Sequence, residues 1–228
     1  QDQYGSAQAI NDSGHVTGDT DGNGFFYDRT LHFFPTAIEQ IGTGNGINNS
    51  DVITGGQTVE PGNREIGFVY NPHTGSITTF IGFDGGFQSE GDAINASGYV
   101  AGWADYGSIP VDPSTSSEGP PHAFLNDAAG EHDLGTLGGS SSFGDAINAN
   151  SQVVGSSDLA GDAVTHAFLY SGGVMMDVNS LVSSSALAPY VTLNEATGIN
   201  DSGWIIANGV DSRTGETHGY LLKPAAAP

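Results

Sequence analysis

Ile147-Asn148-Ala149-Asn150-Ser151, then Val153-Val154-Gly155, then Ala167-Phe168-Leu169-Tyr170 is the stretch from which the fold can be read. Asn followed by small or polar residues is hairpin-turn chemistry, because the Asn side chain bonds the local backbone and tolerates left-handed conformations. The β-branched pair after it and the aromatic phrase further on are strand-formers. The same phrases recur in the same order elsewhere. Ile-Asn returns at Ile10-Asn11, Ile47-Asn48, Ile94-Asn95 and Ile199-Asn200, at spacings of 37, 47, 53 and 52 residues. Eight positions after each Ile stands a small residue: Gly18, Gly55, Gly102, Gly155 or Ala207. The aromatic phrase returns as Gly24-Phe25-Phe26-Tyr27, Gly67-Phe68-Val69-Tyr70, Ala123-Phe124-Leu125-Asn126 and Gly219-Tyr220-Leu221-Leu222.

Each copy reads as four short strands. The Ile-Asn segment is the first, the β-branched run the second and the aromatic phrase the third. A fourth is expected at Phe33-Phe34, Ile77 to Ile81, Leu134 to Leu137 and Met176 to Val178. Four short strands per roughly 45 residues is the pattern of a propeller blade. The expected fold is therefore an all-β, five-bladed β-propeller, in one domain with blades near 4–42, 43–86, 87–140, 141–190 and 191–224. A β-helix is the structural rival, but its rungs are shorter and do not vary by 16 residues (53 − 37). Insertions fall mainly between strands two and three. The fifth copy stops after its third strand, because the Pro/Ala tail at 224–228 supplies no fourth. That leaves an open sheet edge, which invites pairing with another chain.

With these phrases in view, the chain resembles the extracellular HAF-repeat family. His122-Ala123-Phe124 and His166-Ala167-Phe168 carry the name literally, and His218-Gly219-Tyr220 is a close variant. Asp133-Leu134-Gly135-Thr136-Leu137-Gly138-Gly139 followed by Ala146-Ile147-Asn148 is similar to that family's repeat core. The resemblance spans nearly the whole chain and implies a secreted bacterial protein. It implies no activity, since no family-wide catalytic motif maps onto these residues.

Composition narrows the functions. Among 228 residues, 4 are Lys or Arg and 26 are Asp or Glu, for a formal net charge of −22. Such a surface repels phosphate backbones and anionic lipid, which argues against nucleic-acid binding and membrane insertion. It suits divalent cations, and it equally suits a solubilising surface. There is no cysteine, so disulfides, thiolate catalysis and Cys-bound zinc are excluded. The start of the chain carries no basic and apolar leader, and the expectation is that any signal peptide has been removed. No apolar run approaches the roughly 18 residues of a membrane helix.

Several residues invite chemistry. Asp19-Thr20-Asp21-Gly22-Asn23-Gly24 places oxygens at alternate positions around a Gly, a partial match to a calcium loop. Asp28 is the candidate fourth Ca2+ ligand, and the competing reading is a polar hairpin turn. Asp105, Asp112, Glu118, Asp158, Asp162, Asp211 and Glu216 sit in equivalent connections, where they form a cation-binding, catalytic or merely solvated rim. Asp92 and Asp145 lie two residues before their Ile, where the other copies have Gln8, Asn45 and Thr197. Five polar side chains on the axial strand suit a small-ligand site or simply a watered channel. Trp103 and Tyr106 are candidates for stacking on sugars. The five Asn residues read as turn-formers, and His122, His166 and His218 as residues hydrogen-bonded within their own blade. Three functions follow: a non-catalytic binding module for polysaccharide or surface glycan, a self-assembling surface protein, and a glycoside hydrolase or lyase.

Overall fold

The structure, a computed structural model, describes residues 5–35, 42–59, 64–84, 86, 88–107, 119–182, 185 and 187–224. Asp112 and Glu118 of the acidic connections lie outside these residues, as do positions 225–228 of the tail.

Five antiparallel sheets follow one another along the chain, each a meander in chain order. The first contains β1 (Gly5–Ile10), β2 (Val16–Thr20), β3 (Asn23–Tyr27) and β4 (Leu31–Phe33). The second contains β5 (Gly42–Ile47), β6 (Ile53–Val59), β7 (Arg64–Asn71) and β8 (Ser76–Phe80). The third contains β9 (Ser89–Ile94), β10 (Val100–Asp105), β11 (Pro121–Asp127) and β12 (Gly130–Asp133), and the fourth β13 (Gly138–Ile147), β14 (Val153–Leu159), β15 (Thr165–Ser171) and β16 (Val174–Asp177). A single helical turn, α1 (Val178–Leu181), leads to the three-stranded fifth sheet of β17 (Val191–Ile199), β18 (Ile205–Asp211) and β19 (Glu216–Leu222). Four four-stranded sheets and a three-stranded fifth are thus what the described residues form.

One fourth strand differs from its expectation. In the third sheet it is Gly130–Asp133, whereas Leu134 to Leu137 follows it as irregular chain that ends in an isolated bridge from Leu137 to Leu159. Gly135 has a φ of 72° that bends the chain away, and Leu134 drops into the core, donating its N–H to the Ala123 carbonyl at 2.9 Å. Leu134 of this apolar run is a core plug rather than part of a strand. Strand β13 also starts at Gly138, inside the span read as the third copy.

The sheets stack in sequence. The second and third strands of each of the first four sheets pack on the first strand of the next: β2 and β3 on β5, β6 and β7 on β9, β10 and β11 on β13, β14 and β15 on β17. No comparable packing joins β18 and β19 to β1 among the described residues. Each junction has its own apolar core. Between the first two sheets Phe26 packs with Ile47, Ile53, Phe68 and Tyr70; between the last two Val154 and Ala167 pack with Leu193, Ala196, Ile205 and Ala207. Phe34 follows β4 and sets its ring edge-on to Phe68 and Tyr70 at 5.7 and 5.4 Å.

The small residue eight positions after Ile has a cause within each sheet. At Gly18, Gly55, Gly102 and Gly155, an added Cβ would collide with the carbonyl oxygen of the neighbouring first strand, on Ser6, Thr43, Glu90 and Phe143. Only Ala207 carries a side chain there, paired opposite Ala196.

Candidate functional site

The turn ends of the first strands meet around a cavity of ≈ 230 Å³ that residues of all five sheets line, among them Asn11, Asn48, Asn95, Ala149 and Asp201. In each turn the Asn carboxamide oxygen accepts two backbone N–H groups; for Asn95 these are Ser97 and Tyr99, both at 3.0 Å. The third residue after each Asn takes a left-handed φ, at Gly14, Asp51, Gly98, Ser151 and Gly203. The other end of each amide does something the sequence did not disclose. Nδ2 of Asn11 donates to the Asn48 carbonyl, Asn48 to Asn95, Asn95 to Asn148 and Asn148 to Asn200, at 3.0 to 3.1 Å. A relay of amides ties sheet to sheet around the cavity and ends at Asn200.

Asp51 closes the first junction at this end. Its carboxylate takes His15 Nδ1 at 2.7 Å, His73 Nε2 at 2.8 Å and Asn11 Nδ2 at 2.7 Å. Burial alone would raise its pKa. The hydrogen bonds from both histidines and Asn11 outweigh it and hold the group below the ordinary carboxylate range.

Two residues back from each Ile, every first strand is interrupted. The register of β1 on β2 slips between Ala7 and Ala9, that of β5 between Gly44 and Gly46, and that of β9 between Gly91 and Ala93. Strand β13 slips between Gly144 and Ala146, and β17 between Ala196 and Gly198. The skipped residues are Gln8, Asn45, Asp92, Asp145 and Thr197. The five positions singled out as a polar ring are therefore five equivalent β-bulges, the device by which a strand re-aims one side chain.

Three of these meet further acidic groups. Asn45 Nδ2 donates to Glu90 Oε1 at 2.7 Å and to the Gly91 carbonyl at 3.3 Å. Trp103 donates its indole N–H to Glu90 Oε2 at 3.3 Å and lies edge-on to Phe143 at 6.1 Å. Burial pushes Asp92 up to about 8, with Glu90, Asp145 and Glu65 repelling its charge. Burial likewise raises Asp145 to about 7, helped by Glu195, and Glu65 to about 7, helped by Glu90. One carboxylate oxygen of Asp145 is buried without a hydrogen-bond partner. In the fifth sheet Glu195 Oε2 accepts Asn208 Nδ2 at 3.0 Å. The result is an acidic row across the second to fifth sheets, with an indole and two amides at its margin. Protonated carboxyls in such a row both donate and accept, as sugar hydroxyls do.

Glu65, Glu90 and Glu195 are members that sequence reading missed. Glu90 and Glu195 stand four residues before their Ile, the position of Ser6, Thr43 and Phe143 in the other copies. That spacing was visible; their approach to Asp92 and Asp145 across sheets was not. Tyr106 belongs elsewhere. Its hydroxyl donates to Asp133 Oδ2 at 2.5 Å, and its ring meets His122 edge-on at 4.9 Å. His122 and His166 in turn bond Asp133 and Asp177 of the adjoining fourth strands, at 3.0 and 2.9 Å. His218, with no fourth strand beside it among the described residues, lies 3.6 Å from Glu216.

The calcium candidates divide. Thr20 pairs with Asn23, and Asp21 and Gly22 both have left-handed φ values of 50° and 78°, which makes the segment a tight two-residue hairpin. Asn23 Nδ2 donates to the Asp21 carbonyl at 3.2 Å. Asp28 sits at the other end of β3, about 16 Å of extended strand away. There it accepts Thr30 N–H and His32 Nε2 at 3.2 and 3.0 Å. Asp28 does not share a coordination sphere with Asp19 and Asp21. The remaining three residues offer fewer oxygens than the roughly six to eight calcium takes. Among the described residues, no three His, Asp or Glu side chains are grouped to hold a metal ion.

No helix among the described residues is long and apolar enough to cross a membrane. No family model matches the chain, and no curated protein matches it. Among solved structures, it is similar to the β-propeller domain of the trilobed protease from Pyrococcus furiosus, described as having an open velcro topology. The two share 8% identity over 99% of this chain and 84% of that one, with a TM-score of 0.43. At that distance the likeness carries no inference about this chain.

Proposed function

We propose that the chain is a five-bladed β-propeller of the HAF-repeat kind, secreted, and acting as a non-catalytic binding module for polysaccharide or cell-surface glycan. The observation behind this reading is the set of five equivalent bulges. A fold that spends a strand irregularity in every copy at one polar position is aiming those side chains. Asp92 and Asp145 are the central binding residues in this proposal, with Glu90, held by Asn45 and Trp103, beside them. Trp103 and Phe143 supply the apolar flank on which a sugar ring rests. Calcium is the proposed cation, drawn by the net charge of −22. Asp19, Asp21 and Asn23 alone would bind it weakly.

The test is isothermal titration with a panel of neutral polysaccharides, in calcium and in chelator, on the wild type and on Asp92→Asn/Asp145→Asn. Saturable binding that the double variant loses supports the reading; binding indifferent to both changes contradicts it. A second reading, glycoside hydrolysis, draws on the raised pKa of Asp92, which suits a general acid near neutral pH. New reducing ends that appear with the wild type and vanish in Asp92→Asn would favour it.

A further inference from the structure

The four occupied junctions define what each sheet presents to its neighbours. The residue just before the small one in the second strand is always buried against the next sheet: Thr17, Thr54, Ala101 and Val154 are all 0% exposed. In the fifth sheet that residue is Ile206, and it is 51% exposed. Leu221 beside it is 54% exposed, where its equivalents Phe26 and Leu125 are 3% and 7% exposed and Val69 and Leu169 are half-buried. The facing surface is bare too. In the second sheet Ile47, Ile53, Phe68 and Tyr70 are buried against the first. The first sheet repeats that row as Ile10, Val16, Phe25 and Tyr27, extended by Leu31 and Phe33. Here Ile10 is 68% exposed, and Tyr27, Leu31 and Phe33 are exposed as well.

We infer that the bare face of the fifth sheet is a docking surface for the first sheet of a second copy of this chain, so that copies associate head to tail. The two faces are the two halves of a junction the molecule already makes four times, apolar against apolar. The polar part matches as well. Asn200 Nδ2 has no partner among the described residues, and the Asn11 carbonyl of a second copy is the acceptor that the relay prescribes. The chain's own first sheet does not occupy the surface, and its placement is set by four amide bridges and four apolar junctions. Docking a second copy leaves all of these intact. Because the donor and acceptor faces differ, the contact is heterologous and propagates unless geometry closes it. This inference is independent of any ligand. It differs from strand donation, which would use the β19 edge rather than the face.

The test is molar mass by sedimentation velocity over a wide concentration range, at physiological and at higher salt. Mass is expected to rise with concentration, and more at higher salt, where mutual repulsion of a −22 chain is screened. Ile10→Glu and Ile206→Glu change residues already exposed in the single chain, so both variants should fold. Each alone should stay monomeric, and their equimolar mixture should stop at a dimer, since one intact pair of faces remains. A wild type that is monomeric throughout overturns the inference, as does association that persists in both variants. A 10/206 cysteine pair that cross-links within one chain would show self-closure instead, and also overturns it.

Discussion

At the turn end of β9, Asn95 spends every polar atom on the scaffold: two backbone N–H groups bond its oxygen, and its amide reaches the next sheet. Three residues earlier on the same strand, Asp92 sits in a bulge among other carboxyls, its charged form penalised by burial and by Glu90, Asp145 and Glu65. Both positions are polar in all five copies, and sequence alone makes them look alike. The difference is satisfaction. A polar group whose bonds are all made by its own fold is structure, whereas one left electrostatically frustrated is kept for something outside the fold or at a cost to it.

Removing the relay is the change with the largest expected effect. Asn95→Ala leaves two turn N–H groups without partners and the Asn148 carbonyl with only the Ser151 N–H, and should lower unfolding free energy by about 3 kcal/mol in urea titration. Asn200→Ala loses the same two turn bonds but no onward bond, and should cost roughly two thirds of that. Equal losses would mean the inter-sheet bridges contribute nothing.

Next in size is the opposite sign at the bulge. Asp92 has a folded pKa of about 8 against about 3.9 in an unfolded chain, so between these values the native state binds more protons. Stability therefore falls as pH rises through that window and levels off above it. Asp145, with burial raising it to about 7, adds to the same limb. Asp92→Asn should stabilise the protein at pH 8 by on the order of 1 kcal/mol and flatten the decline in Tm. A drop in Tm at pH 8 would make Asp92 a scaffold residue like Asn95.

Asp51 provides the contrasting limb. Its pKa is depressed by His15, His73 and Asn11 despite burial, so its contribution is full above the unfolded value near 4 and is lost as pH falls through the folded one. Asp51→Asn should lower stability at pH 6 and remove part of the acid-side decline. The smallest effect belongs to Gln8→Ala and Thr197→Ala, exposed bulge residues expected to change stability by less than about 0.5 kcal/mol. A larger loss at either would show that the bulge side chain, rather than its backbone, holds the strand.

How far these features were legible follows from distance along the chain. Within-copy features could be read: the Asn turns, the aromatic third strand, the His of His-Ala-Phe bonded inside its own sheet, and the missing fourth strand of the last copy. The polar ring was also visible, as a fixed offset from Ile, although nothing in a sequence marks Gln8, Asn45, Asp92, Asp145 and Thr197 as bulges. Features made between copies were hidden. Glu65 and Glu195 reach the row from other sheets, and the Asn relay depends on sheet spacing. Proximity in sequence misled in two places. Tyr106 follows Trp103 by three residues but turns to Asp133, and Asp28 follows Asp21 by seven but lies a strand's length away.

The most direct test of the binding account is the titration of neutral polysaccharides against wild type and Asp92→Asn/Asp145→Asn at pH 8, with Tm recorded for both. The account predicts saturable binding by the wild type and none by the double variant, whose Tm is equal or higher. Equal binding by the two proteins, or a double variant that loses both binding and stability, would contradict it.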